Sequence, residues 1–565
     1  MNEVTKTSIF LLLAVALVVG AYFARPVVRD FTPDDMLGAV LFPQFNNPLD
    51  ITSLEIVRMD AAGSRNEFRI AEVNGIWSIP SHDNYPADAR DQMGRVAEAL
   101  TDLRVLEVIQ PEGSDTIAFQ TRHGVIDPAD DSAFGEGVGI KITLTGTNNE
   151  TLVDLIVGRS VVQRQTLDMM DEGETLRYVR IANQTPVYVV NIDPSQFSTD
   201  FDRWIERNLL DISTFDIREI FIDQYSFAVE YILTNQGIQM EIKPSFIGNL
   251  TIGFNASAIG ADKWSLERWM TFDQGQYTER QLAPGVELNT DILDAMISAL
   301  DDLQIVSVLK KPASLAAALR AGATFDNIDL ETVNLDAAME ESMRRTGFWL
   351  VKMPDLREGT QQEVVRLLSN DGDMQLRLRN GIVYHLRFGD LTGTESEVPM
   401  PPIREMDSPL SMTNTRMVPN RYLFIMTEFD PTIIPLPELR EVPEMLGEGS
   451  TEELEARERE IELAERHNQR EQERYDAAIE QGMRRAAELS DRFADWYYVI
   501  SDDVYRRLHL TETNVFRFRM PDITGVGVID GHINPPPIDE SPVEEPVSVD
   551  HFPVLPTVDF EFEGE

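Results

Sequence analysis

The sequence predicts an α+β protein: two tandem repeats of antiparallel sheet with packed helices, an N-terminal transmembrane helix, and a long charged helix inserted in the second repeat. Three observations predict it. Short stretches recur in the same order along the chain, alternating apolar runs are separated by Asn- and Gly-rich turns, and one uncharged N-terminal segment is long enough to reach across a bilayer.

The N-terminal element is "SIFLLLAVALVVGAYFA", Ser8 to Ala24. As a helix rising about 1.5 Å per residue it reaches roughly 25 Å, close to the apolar thickness of a membrane. Residues 1–30 are therefore expected to anchor the chain through residues 8–24. Lys6 precedes the segment and Arg25 and Arg29 follow it, so charge does not fix orientation. A cleaved signal peptide competes, but the small residues of an A-x-A site are missing and only "VVG" ending at Gly20 resembles one. An uncleaved anchor with the bulk outside the cytoplasm is the simpler reading.

The repeats, expected over 45–212 and 213–519, show themselves in four places. "DITSLEIV" from Asp50 matches "DIREIFID" from Asp216 in the alternation of a half-buried strand. "WSI" at Trp77 matches "WSL" at Trp264. "ALTDLRVLEV", Ala99 to Val108, matches "ALDDLQIVSV", Ala299 to Val308, and each ends a helical stripe: Met93, Val96, Leu100 and Leu103, then Leu293, Met296, Leu300 and Leu303. Finally Tyr188, Val189, Val190 and Asp193 match Tyr498, Val499, Ile500 and Asp503. The turns "NNE" at Asn148, "NDGD" at Asn370 and "RNG" at Asn380 join antiparallel strands.

Spacing between the third and fourth matches is much longer in the second repeat, so insertions are required. The Pro- and Met-rich stretch 396–419 lacks periodicity and is expected to be a surface loop. The stretch 450–493 reads as a charged helix, with Ser450 and Glu453 as a capping box and Glu453–Arg457, Glu455–Arg459 and Glu462–Arg466 as i,i+4 pairs. Its apolar positions sustain no clean heptad, which favours a solvated helix or a short antiparallel hairpin over a coiled coil. Residues 520–565 are rich in Pro, Asp and Glu, and disorder is expected there.

Composition narrows the function classes. The chain of 565 residues has 96 acidic and 49 basic side chains, a formal charge of -47, which repels nucleic-acid phosphates and anionic lipid heads. No nucleic-acid partner is expected; the acidity serves solubility or a basic partner surface. The absence of cysteine excludes disulfides, thiolate nucleophiles and a lipoprotein-type anchor.

"NGIWSIP", "YPADARDQMGRVAEALTDLRVLEVI", "HGVIDP", "LIVGR", "RYVRIANQTPVYVV" and "FDRWIERNLLDI" occur in that order between Asp50 and Ile212. Together they resemble the bacterial domain-of-unknown-function family 4340. A more diverged copy covers Asp216 to about Phe516, with "RAGATFD" near Ala321 standing for "RHGVIDP" and "LRFGD" at Leu386 for "LIVGR". The resemblance implies a single-pass protein of the bacterial cytoplasmic (inner) membrane, bulk extracytoplasmic, found beside ABC-type transport systems of the gliding kind. It implies a permease and an ATPase as partners and transfers no catalytic residues.

A search for chemistry gives no catalytic, cofactor-binding or metal residues, and no cofactor is expected. The histidines His82, His123, His385, His467, His509, His532 and His551 show no zinc-ligand spacing. No G-x-S-x-G elbow or P-loop occurs, and "GEGVG", Gly135 to Gly139, reads as a turn before a strand. The acidic run Asp127 to Gly137 lacks EF-hand spacing and reads as an exposed loop. Trp77 and Trp264 could serve as glycan platforms, but their shared repeat position favours core anchors. The expected function is that of a non-catalytic, membrane-anchored accessory or scaffold subunit of an ABC-type transport or gliding-like envelope assembly. An extracytoplasmic binding module for envelope glycan or lipid is the alternative, and an enzyme a distant third.

Overall fold

The computed structural model describes residues 36–60, 63–111, 113–130, 135–161, 175–234, 237–321, 337–354, 363–399, 415–444 and 450–519. The expected anchor at 8–24, most of "RAGATFD", the centre of the 396–419 stretch and the tail 520–565 lie outside them. Among the described residues no helix is long and apolar enough to cross a membrane.

The first sheet is built from β1 (Ile51–Met59), β2 (Arg65–Val73), β3 (Ile76–Ile79), β4 (Tyr85–Pro86), β5 (Glu107–Ile109), β6 (Ile140–Gly146), β7 (Thr151–Ser160), β8 (Leu176–Ile181) and β9 (Val187–Asn191). Its order is β4-β3-β2-β1-β6-β7-β8-β9-β5, antiparallel throughout. Helix α1 (Arg90–Thr101) connects β4 to β5, and α2 (Thr116–His123) follows β5. The stripe holds: Met93, Val96, Leu100 and Leu103 are all buried, because the 3.6-residue period brings them onto one face over the sheet.

The second sheet uses β10 (Ile217–Thr234), β11 (Gly237–Phe254), β12 (Trp264–Asp273) and β13 (Gln276–Glu279); β14 (Val286–Leu288) and helix α3 (Thr290–Asp301) come next. Then follow β15 (Ser307–Lys310), α4 (Ala313–Arg320), α5 (Ala337–Thr346), the hairpin β16 (Phe348–Pro354) and β17 (Glu363–Ser369), β18 (Asp373–Leu378), β19 (Ile382–Pro399) and β20 (Thr415–Phe429). After these come α6 (Thr451–Ala494), β21 (Trp496–Ser501), α7 (Asp502–Leu508), α8 (Glu512–Val515) and β22 (Phe516–Phe518), which pairs with β14. The order is β13-β12-β11-β10-β18-β19-β20-β21-β15, the same arrangement of nine strands as in the first sheet.

Register makes the correspondence residue by residue. Leu54 faces Leu144 and Ile56 faces Ile142 in one sheet, where Ile220 faces Leu376 and Ile222 faces Met374 in the other. Val108 pairs with Tyr188 as Val308 pairs with Tyr498. Glu72 pairs with Trp77 as Phe254 pairs with Trp264. A one-residue slip would have turned every apolar side chain outward, so matched register means matched burial.

One sequence match is corrected. Gly158 and Gly389 occupy the same register position, and each lies under a carbonyl from the segment crossing that face: a Cβ would meet His123 O at 2.4 Å in the first case and Thr346 O at 2.0 Å in the second. Gly124 and Gly347 follow those residues in left-handed conformation, at φ 71° and 83°. The place of "RHGV" is therefore taken by Arg345-Thr346-Gly347-Phe348 at the end of α5, not by "RAGATFD". Sequence order favoured the wrong segment because α4 follows β15 as α2 follows β5.

The expected loop 396–419 is also shorter than read. Residues 396–399 and 415–419 continue the β19–β20 hairpin, pairing Ser396 with Val418 and Pro399 with Thr415. The segment before 213 bonds to the strand entering the second sheet. Leu209 N donates to Leu303 O at 3.2 Å and Ile305 N to Arg207 O at 2.9 Å, just as Leu41 N donates to Leu103 O and Val105 N to Ala39 O. Residues 205–212 thus lead into the second sheet as 36–45 lead into the first.

The described residues as far as Arg517 make one compact unit, and one apolar core runs from Leu54 and Val96 through Trp204 and Leu210 to Leu376 and Tyr498. Tyr384 Oη donates to Leu210 O at 2.9 Å, and Tyr85 packs edge-on against Trp496 at 5.0 Å.

Candidate functional site

Two features of the second sheet stand out among the described residues: a cavity, and the helix α6 where the first sheet has the short turn 182–186. Both arise where chain was added to the shared strand plan.

The cavity, about 550 Å³, lies where the β10–β11 hairpin, the turn before β18 and the segment after α7 meet, with walls that include Ile222, Ile247, Met374, Phe388, Leu508 and Leu510. Local structure explains each wall. β10 and β11 slip between Gln224/Tyr225, where Gly248 faces Gln224 and Phe246 faces Tyr225, leaving Ile247 as the extra residue of a bulge. Bulges re-aim side chains, and Ile247 stands at the mouth with 49% of its surface exposed. Gly372 turns the chain at φ 76°, with its Cα too close to Asp223 O for any larger residue, since a Cβ would sit 2.5 Å from that oxygen. Gln224 Nε2 donates to Leu510 O at 3.1 Å and fixes the third wall.

Asp223, Tyr225 and Asp373 also border the cavity, but strand alternation sends their side chains to the opposite face. There Tyr225 Oη donates to Asp373 Oδ1 at 2.8 Å and accepts from Ser369 N at 3.0 Å. Arg387 pairs with Asp373 at 2.6 Å, and Arg366 lies 3.8 Å from Asp223. Burial pushes the Tyr225 phenol well above its ordinary value, so it stays protonated and donating. This network holds the β16–β17 hairpin against the sheet beneath the cavity floor.

At the rim, Arg421 joins three elements. Its guanidinium bonds Asp371 at 2.8 Å, Asp502 at 3.0 Å and Gly389 O at 2.6 Å, and lies 4.0 Å from the centre of the Tyr505 ring. Tyr505 stacks on His509 at 5.2 Å. Desolvation lowers the His509 pKa, which leaves the imidazole neutral near pH 7. Asp371 and Asp373 are both engaged by guanidinium groups, so the arrangement suits holding an apolar body better than moving protons.

Helix α6 runs 44 residues, about 66 Å, as one continuous element, which decides against the hairpin reading. The capping box forms as expected: Ser450 Oγ accepts from Glu453 N and Glu453 accepts from Ser450 N at 2.9 Å. That engagement turns Arg457 away from Glu453 and toward Glu460 at 3.1 Å, whereas the Glu455–Arg459 and Glu462–Arg466 pairs form. Residues 451–480 bury Ala464 alone. Beyond them Gly482, Ala486, Leu489, Phe493 and Ala494 are buried against the second sheet. The segment before the helix returns along it, with Arg440 N donating to Asn468 Oδ1 at 2.7 Å and Asn468 Nδ2 to Arg440 O at 2.8 Å. Leu436, Leu439, Val442 and Leu463 are left exposed on this stalk.

The residues singled out in the sequence fall into packing and pairing roles. Trp264 is buried, donates Nε1 to Asp294 at 3.0 Å and packs on Phe254; Trp77 is half-buried against the core. Asp127 bonds Lys141 at 2.8 Å and caps the turn at Ala129. Gly135–Gly137 is a single 3-10 turn ahead of β6. His82 stacks on Phe201, His123 bonds Phe119 O, His385 meets Glu428 and His467 meets Glu438 O. His532 and His551 lie outside the described residues. Among the described residues no group of three or more His, Asp or Glu is placed to hold a metal ion. The cavity walls left no signal in the sequence, because Gln224 and Leu510 meet across 286 positions.

No curated protein and no solved structure matches the chain. Residues 77–321 match the model of the family described as Domain of unknown function (DUF4340), a span that opens in β3, crosses from the first sheet to the second and closes after α4. Over that span the chain is similar to DUF4340.

Proposed function

We propose that this chain is a non-catalytic accessory or scaffold subunit of an ABC-type transport or gliding-like envelope assembly. In this reading residues 8–24 anchor it in the bacterial inner membrane, the bulk is extracytoplasmic, and the stalk of α6 docks the outer face of a permease that carries its ATPase on the cytoplasmic side. The observation that carries it is the placement of α6. The β8–β9 connection of the first sheet is the short turn 182–186, and the matching β20–β21 connection of the second contains a helix that is solvated for two thirds of its length. Adding such an element to a hairpin costs little in loop closure and gives a surface free of the core. Exposed Leu436, Leu439 and Leu463 supply the apolar contacts that a docking surface needs.

The shared strand order and register support a further part of this proposal, that the two halves are tandem copies of one unit. The first copy then keeps the plain plan and the second carries the additions. A mild-detergent purification of the full chain tests the docking role. Permease and ATPase should accompany the native chain and be lost from the L436E/L439E/L463E variant. Recovery of neither with the native chain would sink the scaffold reading.

A further inference from the structure

The stalk restricts the chemistry of its partner as well as the place of contact. We infer that residues 436–444 receive an amphipathic basic segment, one whose apolar side chains are flanked by Lys or Arg; the inference rests on the docking reading and names the character of the surface that docks. Leu436, Leu439 and Val442 are 78%, 56% and 41% exposed, one at every third position. Their backbone is held in place. Asn468 bonds both the N–H and the carbonyl of Arg440, His467 lies 3.2 Å from Glu438 O, and Leu439 N donates to Pro437 O at 3.0 Å. Pro435, Pro437 and Pro443 fix φ along the same stretch. A partner therefore meets apolar side chains on a pre-ordered backbone, and less entropy is lost on binding.

Charge selects among apolar partners. Glu438, Glu441 and Glu444 interleave with the three apolar residues, are exposed, and enter no ion pair among the described residues. Arg440 is the basic residue of the segment. The arginines of the adjoining turns of α6, Arg457, Arg459 and Arg466, are each engaged by a glutamate of the same helix. An acidic partner, or a second copy of this segment, would bring carboxylates against carboxylates. Lys or Arg beside the partner's apolar side chains would instead pair with them.

Two peptides test this on the full chain in nonionic detergent. Each is about 15 residues long, with leucine at i, i+3, i+4 and i+7, a photo-crosslinking residue at the centre, and either lysine or glutamate elsewhere. The lysine peptide should label 436–444 saturably, as mapped by mass spectrometry, with the glutamate peptide about ten-fold weaker or more. E438K/E441K/E444K should reverse that preference, and L436S/L439S/V442S should abolish labelling by both peptides. The control E72K/E98K/E150K, at exposed positions of the first half, should change neither. Labelling spread over the chain without enrichment at 436–444, or a preference that survives E438K/E441K/E444K, overturns the inference. Dimers of the native chain in sedimentation that L436S/L439S/V442S dissolves also overturn it, since a second copy is then the occupant. Recovery of permease and ATPase is a separate readout. Their recovery with failed peptides removes the basic character and leaves docking standing; labelling at 436–444 without their recovery removes the permease and keeps the basic partner.

Discussion

The first and second sheets share nine strands in one order and one register, but they treat the face away from the main core differently. In the first, Ile156 lies there with Phe119, Val125 and Val187 in a small apolar cluster. In the second, the matching position is Arg387, 2% exposed and paired with Asp373. An apolar contact is indifferent to orientation, whereas a buried ion pair fixes one geometry and makes its loss costly. The second half is thus the one in which additional chain, the β16–β17 hairpin, had to be held in a single place.

That contrast can be broken at its sharpest point. Arg387→Ile installs the residue of the first half but strands Asp373 in the interior, and should lower stability by about 3–5 kcal/mol in denaturant unfolding. The double change R387I/D373A should recover part of that loss. Equal stability of the single and double variants would show that the pair does not act as a unit.

The shared part of the plan is tested by Leu100→Ala and Leu300→Ala, at matched and fully buried helix positions. Each should cost about 2–5 kcal/mol, and the two costs should agree to within the scatter of cavity effects. A large disparity would mean that the two helices do not seat equivalently.

Smaller effects sharpen what is particular to α6. Gly482 lies against the Phe429 ring, where a Cβ would come within 2.2 Å, so Gly482→Ala should destabilise by about 1–3 kcal/mol despite alanine's better helix propensity. Ser450→Ala removes the cap and should cost about 1 kcal/mol. Its effect should appear as faster amide exchange confined to the first turns of the stalk, with the global midpoint little changed.

Lys311 gives the mildest test, through pH. It is 3% exposed, donates Nζ to Phe493 O at 2.9 Å at the end of α6 and lies over the Phe424 ring. Desolvation holds its pKa well below the ordinary lysine value. Between the folded and unfolded pKa values the unfolded chain binds the extra proton, so this lysine makes stability rise with pH, reaching a plateau near the usual lysine pKa of about 10.5. Lys311→Met should flatten the dependence measured between pH 7.5 and 10. An unchanged slope would assign it elsewhere.

How much of this was legible follows the range of the interactions. Trp77 with Trp264, Tyr188 with Tyr498 and the two leucine stripes were readable because period and order are local properties, and each pair proved to share a register position. The Ser450 cap was readable for the same reason. "RAGATFD" misled because a neighbouring helix had the right place in sequence, while the contact over Gly389 came from Thr346. Tyr497 and Tyr498 are both fully buried because β21 is covered on each face, Tyr498 in the main core and Tyr497 in a second apolar cluster.

By itself, then, the sequence determined much of the strand and helix plan, the matching order of its motifs and the helical, charged character of 450–493, since backbone propensity and hydrophobic period act over a few residues, while the structure showed that helix to be one continuous element. Only the tertiary structure decided that β16–β17 is pinned by Arg387 and Asp373, that the bulge at Ile247 opens a cavity, and that Gln224 reaches Leu510 to close its wall. Those depend on contacts between segments far apart in the chain, where side-chain geometry and burial, not local pattern, set the free energy.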